Sequence, residues 1–67
     1  MMLKQLSNSE ISQLIDEWLH NERDRKILKR RLIDGIIYER IAEEYGLSVT
    51  QVKNIVSNGR KELLRHL

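Results

Sequence analysis

Several polar side chains between residues 50 and 57 are of the types that bind DNA bases. Glutamine and asparagine amides can pair with adenine through two hydrogen bonds, and a lysine ammonium can reach the acceptors of guanine or a phosphate. A threonine can offer its methyl group to thymine and its hydroxyl group to a phosphate. The predicted base contacts are Thr50, Gln51, Lys53, Asn54 and Ser57. The same residue types are common on any exposed helix face, so their meaning depends on the element that presents them.

A second set of residues is placed to contact a DNA backbone. Ser48 starts the helix that carries the base contacts, and the free N–H groups of a helix start attract phosphate. Tyr38 and Arg40 begin the preceding helix, from which they can reach flanking phosphates. The predicted backbone contacts are Tyr38, Arg40, Ser48, Asn58 and Arg60.

Catalytic and metal-binding chemistry finds little support in this sequence. There is no cysteine, so a disulfide framework and a thiolate metal site are excluded. His20 and His66 lie near opposite ends of the chain, and Asp16, Glu17 and His20 are weak candidates for a surface metal site. No glycine-rich phosphate loop is present. We therefore predict that the protein is not an enzyme and binds no metal ion or cofactor.

Length and composition favour one small helical domain. The chain has 67 residues, no proline and 3 glycines, so few residues interrupt helical hydrogen bonding. Its apolar runs are far shorter than the ~20 residues of a membrane helix, and we expect a cytoplasmic protein with no membrane partner. The net charge is +2, and basic residues concentrate in residues 22–33, a segment able to follow a phosphate backbone or to remain a solvated helix face.

The first two helices are indicated by their capping residues and hydrophobic spacing. Ser7 and Glu10 form a capping box, and Asn21 caps a second helix. The apolar face of the first helix comprises Ile11, Leu14, Ile15, Trp18 and Leu19, and that of the second comprises Ile27, Leu28 and Leu32. We expect Trp18 in the core and Gly35 as the left-handed residue that ends the second helix.

A short third helix is predicted at roughly Tyr38 to Tyr45. Its inward residues are Ile37, Ile41 and Ala42, and its residues facing water are Glu39, Glu43 and Glu44. A helix of about eight residues is unstable alone and must be held by tertiary packing.

The fourth helix starts at a second capping box, Ser48 with Gln51. Its predicted buried stripe comprises Val49, Val52, Val56, Gly59 and Leu63, with Ile55 and Leu64 beside it. The dipeptide Asn58-Gly59 is a common turn signal, so a break in the helix is an open alternative. We predict a continuous helix in which Gly59 permits close packing.

Together these elements predict an all-α fold, a compact three- to four-helix bundle that contains a helix-turn-helix. In such a motif two helices meet at a tight turn, and the second helix enters the major groove of DNA. We expect a single domain over residues 1–67, with an N-terminal helical segment at 1–21 and the helix-turn-helix part at 22–67.

The segment ERDRKILKRRLIDGIIYERIAEEYGLSVTQVKNIVSNGRKELL, within Glu22 to Leu67, resembles region 4 of bacterial sigma factors. The stretch IAEEYGLSVTQVKNIV carries the likeness most strongly, and response-regulator output domains share a related motif. The resemblance implies promoter binding by the last long helix, with base contact at Thr50, Gln51, Lys53, Asn54 and Ser57 and backbone contact at Arg40. It also implies docking on the flap of RNA polymerase, for which the Arg23 to Arg31 helix is available.

Two departures from the family pattern stand out. Ile37 occupies the cap position of the third helix, where family members often have Ser or Thr. Nothing in the chain resembles the sigma region that melts promoter DNA. We therefore expect a stand-alone regulator, a protein of a phage or mobile element, or an excised domain, rather than a complete sigma factor.

The leading functional hypothesis is a sequence-specific transcriptional regulator that binds double-stranded DNA. One alternative is a protein-interaction module that binds RNA polymerase, and another is a DNA packaging or recombination component of a phage or mobile element. A homodimer is also open, because many such proteins bind two half-sites. The residues that can supply its surface are Ile55, Leu63, Leu64, Leu67 and the N-terminal helix, although these leucines can instead cover the first helix.

Overall fold

Four helices form the part of the chain that the computed structural model describes, residues 5–67. They are α1 (Asn8–Trp18), α2 (Glu22–Leu32), α3 (Tyr38–Tyr45) and α4 (Val49–Arg65). No strand occurs within residues 5–67. The predicted all-α bundle is therefore confirmed. Residues 1–4 of the predicted N-terminal segment lie outside the described residues.

The helices begin at the capping residues that the sequence predicts. At α1 the Glu10 amide donates to Ser7 Oγ at 3.2 Å, and the Ser7 amide donates to Glu10 Oε1 at 3.1 Å. At α2 the Asp24 amide donates to Asn21 Oδ1 at 3.1 Å. Each of these bonds satisfies a backbone donor that the helix itself leaves unpaired, so the chain enters each helix at a defined residue.

The start of α3 differs from the other helix starts. Ile37 occupies the N-cap with no side-chain hydrogen bond to the helix. Its side chain is 61% exposed, so the prediction that it faces inward is wrong. The backbone of Ile37 is extended rather than helical (φ −67°, ψ 151°), so its side chain falls outside the helical stripe of Ile41 and Ala42, which are buried.

Two glycines adopt left-handed backbone conformations after helices. Gly35 has φ 68°, as predicted, but it follows the C-cap Ile33 by two residues instead of one. Gly46 has φ 65° and ends α3, and the Leu47 amide then donates to the Ala42 carbonyl at 2.9 Å. A left-handed residue is readily adopted by glycine because it has no Cβ, and it redirects the chain after the last helical turn.

All four helices contribute side chains to one core. The buried apolar residues are Ile11, Ile15, Ile27, Leu28, Ile41, Ala42, Val52, Val56 and Leu63. The buried stripe predicted for α4 is confirmed at Val52, Val56, Gly59 and Leu63, and Val49 is half-buried. Because α4 contacts each of the other three helices, its buried side fixes the direction in which its opposite side faces.

The helix α4 is continuous through Asn58 and Gly59, so a break at this dipeptide does not occur. A Cβ placed on Gly59 would overlap Leu28 Cδ1 and would lie 3.0 Å from Leu28 Cγ. Gly59 therefore permits the close approach of α2 and α4, as the sequence predicts.

Trp18 does not lie in the core, and that prediction is wrong. Its side chain is 38% exposed. Its indole stacks on the imidazole of His66, with ring centroids 3.6 Å apart and an interplanar angle of 5°. Trp18 is the last residue of α1 and lies beyond the buried core. Its side chain therefore contacts the end of α4 instead.

Candidate nucleic-acid interface

The segment from α3 to α4 forms a helix-turn-helix. The turn consists of Gly46, Leu47 and Ser48, since α3 ends at Tyr45 and α4 begins at Val49. Leu47 is half-buried and packs against the core, which holds the turn to the body of the domain. The buried residues of α3 and α4 join these two helices side by side, so the exposed side of α4 is presented on a rigid support.

Four predicted base contacts lie together on the exposed side of α4. They are Thr50, Lys53, Asn54 and Ser57, and all four are exposed. Their spacing of three, four and seven residues places them on one helix face. This face lies opposite the buried stripe that includes Val52 and Val56. Together they form a patch of three neutral polar groups and one ammonium.

Gln51, the fifth predicted base contact, has a structural role in the capping box. The side-chain oxygen of Gln51 accepts a hydrogen bond from the backbone amide of Ser48 at 2.8 Å. The backbone amide of Gln51 donates to Ser48 Oγ at 3.1 Å. Two-point pairing of Gln51 with adenine would have to use the second lone pair of this oxygen while the first keeps the cap, so the cap restricts how Gln51 can approach a base. The capping box leaves the first-turn amides of Val49 and Thr50 without an intrahelical acceptor.

Tyr38 connects the exposed side of α4 to α2. Its half-buried ring lies 4.2 Å from the guanidinium carbon of Arg31 and 5.8 Å from the ammonium of Lys53, measured to the ring centroid. Both distances are within the range of cation–π attraction. Arg31 also donates to the Ile36 carbonyl at 3.1 Å. The two cations are therefore held near each other at the edge of the helix-turn-helix.

Arg31 is a residue of this site that the sequence does not predict. Its contact with Tyr38 spans the loop between α2 and α3 and depends on how these helices pack. No local spacing rule predicts such a contact. The basic character of residues 22–33 was the available signal, but it did not distinguish Arg31 from its basic neighbours.

Arg40, a predicted backbone contact, is 67% exposed at the first turn of α3, and its Nε lies 3.5 Å from Glu44 Oε2. Glu44 is exposed, as predicted, and its carboxylate also accepts hydrogen bonds from Arg30 of α2, from Nε to Oε1 at 3.1 Å and from Nη2 to Oε2. These hydrogen bonds lower the pKa of Glu44 and raise that of Arg30. The pair links α2 to the first helix of the helix-turn-helix.

Most cations of α2 have an acidic neighbour within the protein. The pairs are Arg23 with Asp24, Lys26 with Glu22, Lys29 with Asp16, and Arg30 with Asp34 and Glu44. This basic helix is therefore less available to phosphates than its sequence suggests. On α4, by contrast, Lys53, Arg60 and Lys61 form no ion pair with any residue from 5 to 67.

The remaining predicted backbone contacts, Ser48, Asn58 and Arg60, are exposed. Within the described part of the chain, no cluster of three or more His, Cys, Asp or Glu side chains is arranged to hold a metal ion. Among the same residues, no helix is both long and apolar enough to cross a membrane.

Comparison with known proteins agrees with this geometry. The family model for sigma-70, region 4, matches residues 21–65. No curated protein and no solved structure shows a significant match to the chain. The matched segment begins at the cap of α2 and includes α3 and α4, and it leaves α1 outside. The chain thus belongs to the sigma-70 region 4 family and contains its DNA-binding helix-turn-helix.

Proposed function

We propose that this protein is a sequence-specific DNA-binding regulator of transcription that places α4 in the major groove. The observation that carries the proposal is the exposed face of Thr50, Lys53, Asn54 and Ser57, which lies opposite the buried stripe of α4. A major groove about 12 Å wide admits a helix, and the edges of its base pairs present distinct donors and acceptors.

Each residue of this face has a role suited to its chemistry. The Asn54 amide pairs with adenine through one donated and one accepted hydrogen bond. The Lys53 ammonium donates to guanine or to a phosphate, and Thr50 offers a methyl group to thymine. Ser57 hydrogen-bonds a base or a phosphate on the same side of the helix. Gln51 contributes its amide nitrogen while its oxygen keeps the cap.

Contacts to the DNA backbone fix the register of the helix. The unpaired first-turn amides of Val49 and Thr50, with the positive end of the α4 dipole, attract a phosphate beside Ser48. Arg40 reaches the neighbouring phosphate from α3, at the expense of its 3.5 Å contact with Glu44. Tyr38, Asn58 and Arg60 complete the proposed backbone contacts, and Arg60 lies about two helical turns after Lys53 on α4.

Removal of one base contact tests this assignment. DNA sequences that bind the chain are first selected from a random pool, and the best duplex is titrated with Asn54→Ala and Lys53→Ala. We expect Asn54→Ala to weaken binding by about 1–3 kcal/mol and to relax sequence preference at one position. Lys26→Ala, which removes an exposed lysine of α2, is the matched control and should retain both properties.

An equal loss on selected and scrambled duplexes for Asn54→Ala would contradict base recognition by this residue. The helical circular dichroism of each variant is measured in parallel, so that a folding defect is distinguished from a lost contact.

RNA polymerase is a second proposed partner, because sigma region 4 domains bind DNA and RNA polymerase. A polymerase pull-down that persists in the Lys53→Ala and Asn54→Ala variants would separate this interaction from DNA binding.

A further inference from the structure

A shallow groove lies where α1 meets the end of α4. Its walls are Leu6, Glu10, Gln13, Leu14, Glu17 and Leu67. The three leucines make the groove apolar. Leu6 and Leu14 are half-buried, and Leu67 is 48% exposed. The two glutamates make the rim acidic. All of these residues lie outside the family-matched segment 21–65, so the groove is an addition of this chain to the family domain.

The last turns of α4 carry a surface of complementary character. Leu64 is 47% exposed, and Leu67 three residues later is exposed as well, so the end of α4 presents two large apolar side chains to solvent. Lys61 lies three residues earlier, and side chains with this spacing are neighbours on a helix surface. Lys61 forms no ion pair with any described residue, and neither does Glu17 on the groove rim. The end of α4 therefore combines an apolar side chain with the unpaired cation Lys61, and the groove combines apolar side chains with the unpaired anion Glu17.

We propose that two copies of this chain associate through these surfaces, with Leu64 of each copy on the groove of the other. Lys61 of one copy then faces Glu17 of the second copy. Leu67 belongs to the groove and follows Leu64 by three residues, so the two surfaces are adjacent on each copy. A two-fold axis can therefore form both contacts at once, as in an isologous dimer.

The charges favour a second copy of this chain as the occupant of the groove. An apolar partner without cations would leave the Glu17 carboxylate without an opposite charge. The end of α4 from a second copy supplies the Lys61 ammonium together with the apolar side chain of Leu64. Opposite charges across an interface also set its register, because like charges would meet in any arrangement that pairs groove with groove.

The expected association is weak. A standard interface buries about 800 Å² per partner, which is a large share of the 4529 Å² of total surface. The groove and the surface of Lys61 and Leu64 together comprise only eight residues, whereas a standard interface has about 20–30 residues on each side. Two recognition helices on one DNA would raise the effective concentration of the second copy, so the dimer would be strengthened on paired half-sites. This last step rests on the proposed DNA-binding function, whereas the association itself does not.

The test reverses the charges of Lys61 and Glu17 and measures dimer association by sedimentation equilibrium in the absence of DNA. The wild-type chain is measured over a concentration series up to ~1 mM, a range that detects weak complexes, at low and high salt. We expect concentration-dependent dimerisation that weakens at high salt. Lys61→Glu and Glu17→Lys, each alone, should lower the association constant by about tenfold, because each places like charges in contact.

The double variant Lys61→Glu/Glu17→Lys should recover the wild-type association constant to within about threefold, because it restores opposite charges in the reverse order. Lys26→Glu, a charge reversal on α2 away from the groove, should leave association unchanged. A wild-type chain that stays monomeric throughout the series would overturn the proposal. So would a double variant that associates no better than the two single variants. Since no DNA is present, neither result depends on whether the chain binds DNA.

Discussion

At the scale of single residues, Tyr38 connects the predicted base contacts to the rest of the domain. Its ring lies near both Arg31 and Lys53, so one aromatic side chain holds a cation from α2 beside a cation from α4. The sequence predicts that Tyr38 contacts the DNA backbone. We infer a second role for the ring, which is to restrict the position of the Lys53 ammonium.

Two substitutions separate these roles of Tyr38. Tyr38→Phe keeps the ring and removes the hydroxyl group, whereas Tyr38→Ala removes both. If the ring positions Lys53, the Ala variant should bind the selected duplex about fivefold more weakly, equivalent to a cation–π contribution of ~1 kcal/mol, and the Phe variant should bind nearly as the wild type does. Fluorescence anisotropy titrations measure both. An equal loss in the two variants would instead assign the effect to the hydroxyl group.

The carboxylate of Glu44 provides a residue-scale prediction about pH. Hydrogen bonds from Arg30 lower its pKa in the folded chain, so its contribution to stability is present above the ordinary glutamate pKa and is lost as pH falls through the lowered value. The variant Glu44→Gln should therefore be less stable than the wild type at pH 7. As pH falls below about 4.3, the difference should shrink, because the wild-type carboxylate becomes neutral too. Urea denaturation between pH 7 and pH 3 measures this difference, and a constant difference would contradict the account.

At the scale of elements, the interface of α2 and α4 depends on the absence of a side chain at Gly59. The higher helix propensity of alanine should by itself raise the free energy of unfolding of Gly59→Ala by about 1 kcal/mol. The added methyl group would overlap Leu28, which is fully buried and cannot turn away into solvent. Since overpacking typically costs about 1–3 kcal/mol, we expect a net loss of stability and a lower Tm.

A second substitution checks this explanation for Gly59. In a Leu28→Ala background the obstructing atoms are gone, so Gly59→Ala should leave the Tm unchanged or raise it. Thermal denaturation of the wild type, the two single variants and the double variant measures this change of sign. A stabilising Gly59→Ala in the wild-type background would contradict the close approach of the two helices.

Local signals predict the elements of this fold more fully than they predict its long-range contacts. Each of the capping residues Ser7, Asn21 and Ser48 bonds to a backbone amide three residues away, so the sequence alone identifies these helix starts. The sequence predicts Trp18 and Ile37 in the core because they are apolar and fit the helical spacing. Both lie at an end of a helix, where the neighbouring elements decide burial and spacing does not.

The same distinction applies to the candidate interface. The shared face of Thr50, Lys53, Asn54 and Ser57 follows from helical spacing, so it could be predicted. The capping role of Gln51 was also predicted, but its consequence for base pairing requires the observed hydrogen bond to Ser48. Contacts between helices, such as Arg30 with Glu44, depend on packing that no local pattern specifies.

At the scale of the whole molecule, α1 completes a core that the family-matched segment leaves open. Ile11 and Ile15 of α1 are buried in the core, Asp16 pairs with Lys29 at 2.8 Å, and Trp18 stacks on His66. Burial of the two isoleucines contributes about 3–6 kcal/mol, which is comparable to the ~3–5 kcal/mol that a core of this size supplies in total. We infer that α1 is required for a stable domain in this protein.

Deletion of residues 1–20 tests this requirement. The shortened chain should lose cooperative thermal unfolding and bind a dye specific for exposed apolar surface, because the core residues beneath α1 are uncovered. His66→Ala in the full chain serves as the milder control, which loses one stacking contact of about 0.5–1.5 kcal/mol and should still unfold cooperatively. A shortened chain as stable as the full one would show that α1 is dispensable.

DNA recognition by α4 is best tested by binding the wild-type chain to random-sequence duplex DNA at two salt concentrations and then selecting the bound sequences. We expect the logarithm of the affinity to fall with the logarithm of the salt concentration with a slope of about −3 to −4, as it should if Arg40, Lys53, Arg60 and a helix start neutralise phosphates. We also expect a short sequence motif to be enriched. Binding that stays undetectable at low salt, or binding without any enriched motif, would contradict recognition of specific DNA by α4.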